Sequence, residues 1–200
     1  MGDCLSPGMT IGTCAWMEDE WMKTIDAKSK RYFRAKRFMD DILLMYVRTP
    51  EFDSRRFVQD MQRSVVYQEP LKLEAGHDGT FLETRYAITE NRMRYWLKND
   101  NEDGKVAVWR YHHWCSNAPF AQKRATVTAC LRKVHRMSSS PAYLIKGAMD
   151  KAAEFRRLRY PPAVLYKACA VLGATTGEGA WIRVRDELRR MGTVQRPVGD

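Results

Sequence analysis

Between Arg37 and Val47 the chain reads Arg-Phe-Met-Asp-Asp-Ile-Leu-Leu-Met-Tyr-Val, two adjacent carboxylates set between hydrophobic runs too short to be helices. Short runs rich in branched and aromatic residues read as strands. An Asp-Asp pair suits the turn between them, because Asp side chains bond local backbone and tolerate left-handed geometry. The stretch therefore predicts a β-hairpin with Asp40 and Asp41 at its tip. An Asp-Asp turn often does no more than solve a turn. What this one offers chemically is a pair of hard oxygen ligands, which suits Mg²⁺ (or Mn²⁺), an ion that takes one or two carboxylates together with substrate phosphates.

The rest of the chain decides what surrounds that tip. Two hundred residues, 44% hydrophobic and 29% charged, are enough to bury a core. The start, Met1-Gly2-Asp3, lacks a basic and apolar leader, and no apolar run reaches the length of a membrane span, so the expectation is a soluble, intracellular protein with no membrane partner. Five cysteines (Cys4, Cys14, Cys115, Cys130, Cys169) without framework spacing predict reduced thiols. Residues 1–100 carry 16 basic and 16 acidic side chains, whereas residues 101–200 carry 18 and 8, so the whole net charge of +10 lies in the second half. A polyanionic partner for that half follows, nucleic acid being the commonest.

Periodicity gives an α+β organisation. Leu5-Ser6-Pro7-Gly8 reads as a loop feeding a helix from about Met9 to Lys28, with Ile11, Ala15, Met22 and Ile25 inward. A basic connector from Lys28 to Arg37 leads into the hairpin. Asp53 or Ser54 can cap a helix with Phe57, Val58, Met61 and Val65 on one face. Leu71–Glu74, Phe81–Ile88 and Met93–Leu97 read as strands. The polar stretch 99–104 marks a boundary, dividing the chain into residues 1–100 and a basic, mainly helical 101–200. Past a short strand at Val106–Tyr111, Asn117 and Pro119 open a helix carrying Phe120, Val127, Leu131 and Val134. Ser138-Ser139-Ser140-Pro141 opens another with Ile145, Met149, Ala152 and Phe155, Tyr160-Pro161-Pro162 ends it, and helical patterns follow at Val164–Leu172 and Trp181–Arg190.

Taken in order, these segments resemble the C-terminal part of a reverse transcriptase, closest to the Penelope-like retroelement enzymes. Met1-Gly2-Asp3-Cys4-Leu5-Ser6-Pro7 looks like that family's second palm motif, and Phe38-Met39-Asp40-Asp41 looks like its metal-binding motif. Leu71–Glu74 with Phe81-Leu82-Glu83 is similar to later palm strands, and Ser116-Asn117-Ala118-Pro119 with Gln122-Lys123-Arg124 is similar to the entrance of the thumb. Gly8-Met9-Thr10-Ile11 departs from the family's Ala-Asn after Ser-Pro.

The resemblance implies a partial palm over 1–100, a thumb-like region over 101–200, and an ancestral RNA-templated addition of deoxynucleotides to a primer 3′ hydroxyl. It implies Asp40 and Asp41 as catalytic metal ligands, with Asp40 the main bridging one. Gly2, Ser6 and Pro7 would contact the nucleotide. Lys123, Arg124, Arg132, Lys133 and Arg136 would hold an RNA template and DNA primer duplex through its backbone. The family's further aspartate and its fingers lie upstream of these motifs. The expectation is therefore that this chain alone does not catalyse, and that the missing N-terminal half would act in a longer precursor or in trans.

The alternative is a non-catalytic nucleic-acid-binding or scaffold protein derived from such a polymerase. His112-His113-Trp114-Cys115 offers metal-ligand types without the second pair that a zinc site uses. Trp109, Tyr111 and Trp114 are expected to pack rather than to stack on bases, and no spacing supports a hydrolase.

Overall fold

The computed structural model describes residues 6–39, 41–67, 72–76, 79–99, 101 and 110–193. Its class is α+β, with six helices and small antiparallel sheets. Two compact units divide between Leu82 and Glu83.

In the first unit, helix α1 spans Ser6–Thr24, strands β1 and β2 span Phe33–Phe38 and Asp41–Tyr46, helix α2 spans Ser54–Gln62, and a two-residue strand β3 covers Thr80–Phe81. Ser6, Pro7 and Gly8 are the first turn of α1 rather than a loop, a position where proline's missing N–H is no loss. The helix stops short of Lys28 because Asp26 accepts the Ser29 N–H at 2.8 Å and starts a 3-10 turn at Ser29–Arg31. Ile11 and Ala15 are exposed, whereas Met22 and Ile25, with Trp21, pack on Phe33, Phe52 and Phe57. The ring centroids of Phe33 and Phe57 are 4.3 Å apart and those of Trp21 and Phe57 5.6 Å apart, so the core of this unit is an aromatic cluster joining α1, β1 and α2.

Asp53 caps α2 as expected, accepting from the N–H groups of Arg55 and Arg56 at 3.0 Å. Phe57 and Met61 are buried. Val65 lies past the end of α2, in the 3-10 turn Val65–Tyr67, which turns it outward and buries Val66 instead. Lys72, Leu73 and Glu74 form no strand. A side chain rather than a ladder holds this segment, Gln62 Nε2 donating to the Leu73 carbonyl at 2.9 Å. Leu71 lies outside the described residues. The expected strand Phe81–Ile88 is interrupted at Leu82, whose φ of 55° is left-handed.

The second unit begins with antiparallel strands β4 (Thr84–Thr89) and β5 (Arg92–Leu97). Glu90 and Asn91, with φ of 50° and 58°, make the two-residue turn, a geometry whose twist matches that of the strands. Helices α3 (Phe120–Arg136), α4 (Pro141–Arg157), α5 (Pro162–Thr176) and α6 (Ala180–Thr193) follow. Ser140 caps α4 through the Tyr143 N–H, and Gly177, with φ of 67°, closes α5 in the left-handed region that glycine adopts freely. Val127, Leu131, Ala152, Phe155, Leu172 and Trp181 form the centre of the core.

This unit starts earlier than the composition shift at 99–104, because β5 is tied to the α3–α4 turn. The Ser139 N–H donates to the Tyr95 carbonyl and the Tyr95 N–H to Ser139 Oγ, each at 2.9 Å, and Trp96 stacks on Tyr143 at 4.8 Å. β4 and β5, assigned by pattern to residues 1–100, thus belong with the helices. Of the strand expected at Val106–Tyr111, residues 106–109, Trp109 among them, lie outside the described residues, and Arg110 and Tyr111 are not in a strand. Tyr111 packs on Phe155 at 4.9 Å and Trp114 on Tyr160 at 5.1 Å, as expected of core aromatics. Cys14, Cys115, Cys130 and Cys169 are free thiols. Burial raises the Cys130 thiol and pushes Cys169 up to about 11.

Candidate metal-binding hairpin and basic helix

The Asp-Asp segment forms the hairpin that its pattern predicts. β1 and β2 pair from Phe33 opposite Tyr46 to Phe38 opposite Asp41, and Met39 follows β1. Asp41 is exposed and opens β2 rather than sitting in the turn itself. Asp40 lies outside the described residues. Met39 has a φ of 49°, a left-handed conformation that costs an L-residue about 1 kcal/mol or more.

One side chain offsets that cost. Arg37 Nη1 donates to the Met39 carbonyl at 2.6 Å. The same guanidinium turns its other edge to Glu18 of α1, with Nε 3.0 Å from each carboxylate oxygen and Nη2 also bonded to Oε1. Nη2 further donates to the Tyr67 hydroxyl at 2.7 Å, and that hydroxyl donates to Glu18 Oε1. The Arg37 and Glu18 side chains are only 18% and 21% exposed, so the pair is shielded well beyond an ordinary surface ion pair.

The electrostatics follow from this closed arrangement. Burial alone would raise the Glu18 carboxyl, but hydrogen bonds from Arg37 and Tyr67, with the Arg37 charge, outweigh it and hold the group below the usual carboxylate range. Burial, and then the bond to Glu18, push the Tyr67 phenol up, and Glu18 raises Arg37. Glu18 and Tyr67 had no local sequence signal, since they meet Arg37 across 19 and 30 residues. Arg37 itself read only as part of the basic connector; its guanidinium donates to Glu18, Met39 and Tyr67 within the protein.

As a metal site, the exposed Asp41 carboxylate has the hard-oxygen chemistry that Mg²⁺ or Mn²⁺ takes. Among the described residues, no group of three His, Cys, Asp or Glu side chains gathers to hold an ion. In the His112-His113-Trp114-Cys115 segment, His113 Nδ1 accepts the Cys115 N–H at 3.2 Å. Gly2 lies outside the described residues, and Ser6 and Pro7 are placed only as backbone in the first turn of α1.

The basic residues of α3 separate into three kinds. Lys123 is not a phosphate contact. Only 1% exposed, it points inward, its Nζ donating to the carbonyls of Trp114 and Ser116 at 2.6 Å each and lying 5.0 Å from the centre of the Phe120 ring. The loop before α3 leaves those carbonyls without ladder partners, and the long lysine stem brings a cation to both. Lys133 is exposed but bonded to Glu83, which Arg110 also meets at 3.3 Å. Arg124, Arg132 and Arg136 are exposed. They recur at multiples of four residues and so span roughly 18 Å along one side of the helix.

No protein-family model, curated protein or solved structure matches this chain. Among the described residues, no helix is long and apolar enough to cross a membrane.

Proposed function

We propose that this chain carries the Asp-Asp hairpin and the adjoining basic helices of an RNA-directed DNA polymerase of the reverse-transcriptase kind, and that it binds a primer–template duplex. The observation that carries the reading is the hairpin: a tight turn between two short strands leaves the Asp41 carboxylate exposed at the head of β2, in a chain whose adjacent residue is a second aspartate. Asp40 and Asp41 would hold Mg²⁺ or Mn²⁺, which in this chemistry activates a primer 3′ hydroxyl and stabilises the leaving pyrophosphate. Arg37 and Glu18 keep the hairpin's turn in place beneath them. Arg124, Arg132 and Arg136 supply positive charge to phosphates without reading base sequence. The order hairpin, α2, second hairpin, basic helices supports the assignment to a palm followed by a thumb.

The test uses the full chain with an RNA–DNA primer–template. Duplex affinity is followed by fluorescence anisotropy across a salt series, and bound Mn²⁺ by electron paramagnetic resonance. Duplex binding should weaken with salt, and the combined Arg132→Glu and Arg136→Glu change should weaken it further at every salt concentration. Mn²⁺ held in the presence of duplex should be lost in the Asp40→Asn, Asp41→Asn double variant. Equal Mn²⁺ binding by that variant refutes the metal role. Duplex binding with no Mn²⁺ dependence leaves the non-catalytic binding protein, a reading that rests on the exposed arginines of α3 alone.

A further inference from the structure

Arg37 joins three segments that are remote in sequence. Its Nε and Nη2 face Glu18 on α1, its Nη2 also meets Tyr67 in the 3-10 turn after α2, and its Nη1 holds the Met39 carbonyl. That carbonyl belongs to the peptide bond leading into Asp40. Strain and restraint therefore coincide: Met39 has the left-handed φ, and its carbonyl is the one the guanidinium grips.

We propose that Arg37 is a positioning residue for the Asp-Asp hairpin, its guanidinium oriented by Glu18 and Tyr67 so that it fixes the backbone at Met39, just ahead of the candidate metal ligand Asp41. The metal part of this inference rests on the function proposed above; the restraint on the turn does not. A lone surface pair would need one contact between the partners, whereas here one planar group bonds on two edges at once. Lysine cannot reproduce that, being a point charge with no fork. Groups that orient metal ligands without touching the metal are commonly worth tenfold or more in metal affinity.

The experiment compares the full-length wild type with Arg37→Lys, Tyr67→Phe, Asp41→Asn and the Asp40→Asn, Asp41→Asn double variant, each with an RNA–DNA primer–template. It reads Mn²⁺ affinity by electron paramagnetic resonance and the exchange of backbone amide hydrogens in β1 and β2 by NMR. Arg37→Lys should weaken Mn²⁺ roughly 10- to 100-fold, and Tyr67→Phe, which leaves the guanidinium and removes one of its partners, should weaken it by a smaller factor. Both should speed amide exchange around the turn, Arg37→Lys the more. Unchanged Mn²⁺ affinity in Arg37→Lys, with loss in Asp41→Asn, overturns the positioning role and leaves the metal reading intact. Unchanged affinity in the Asp40→Asn, Asp41→Asn double variant overturns the metal reading instead, and amide exchange then decides the restraint: unchanged exchange in Arg37→Lys refutes it. If Arg37→Lys does not fold, Tyr67→Phe carries the same comparison.

Discussion

Replacing Lys123 by methionine separates two roles that a lysine near a helix start can have. The substitution keeps the length and most of the volume of the side chain, so packing against Trp114 and Phe120 changes little. It removes the donor of two bonds of 2.6 Å to the Trp114 and Ser116 carbonyls, in a residue only 1% exposed. Bonds from a charged donor are worth about 1.5 to 3 kcal/mol each, or roughly 3 to 6 kcal/mol for the two. Relief of the buried ammonium's desolvation offsets part of this, leaving a net loss of about 2 to 4 kcal/mol. For a unit of this size that corresponds to a fall in melting temperature of roughly 10 °C. The assay is thermal unfolding by circular dichroism, followed by primer–template binding over a salt series well below the new midpoint. A phosphate contact contributes close to one unit to the slope of log affinity against log salt, so an inward Lys123 predicts the wild-type slope in Lys123→Met. A slope shallower by about one, with unchanged stability, would show that the lysine faces the nucleic acid and that the burial argument is wrong.

Gly147→Ala should destabilise the second unit, because a Cβ there would lie 2.9 Å from Val134 Cγ1 and Val134 is fully buried. Alanine gains about 1 kcal/mol of helix propensity, but overpacking costs about 1 to 3 kcal/mol, so the melting temperature should fall, and the Gly147→Ala penalty should disappear when measured in a Val134→Ala background. The first unit should lose stability in acid. With its pKa held below the ordinary value, Glu18 contributes fully above that ordinary value and loses the contribution as pH falls through its own. Urea unfolding from neutral pH down through the carboxylate range should therefore show a decline that Glu18→Gln flattens, and an equally steep decline in Glu18→Gln would contradict the assignment.

Local chemistry settled much of this protein. The hairpin around the Asp-Asp pair, the Asp53 cap of α2 and the opening of α4 after the serines at 138–140 all follow from spacing and backbone preference, which act within a few residues. The apolar periodicity of α3 likewise identified Val127, Leu131 and Val134 as core, whereas Phe120, placed on the same side, is exposed. Periodicity also put Ile11 and Ala15 inward, and there it failed: the aromatic cluster of the first unit meets only the C-terminal part of α1.

Which way a charged side chain turns was decided only in three dimensions. Lys123, Arg124, Lys133 and Arg136 are equivalent in composition, yet one is buried on carbonyls, one is bonded to Glu83 and two are exposed. Glu18, Arg37 and Tyr67 carry no mutual signal because the contacts that join them cross dozens of residues. The unit boundary fell at Leu82 for the same reason, since two hydrogen bonds and a ring stack bind β5 to a turn more than forty residues away in the chain. Sequence by itself determines short-range backbone conformation and the total charge. The partner of each charge depends on which unsatisfied carbonyl or carboxylate the fold brings within about 3 Å, and only tertiary packing sets that distance.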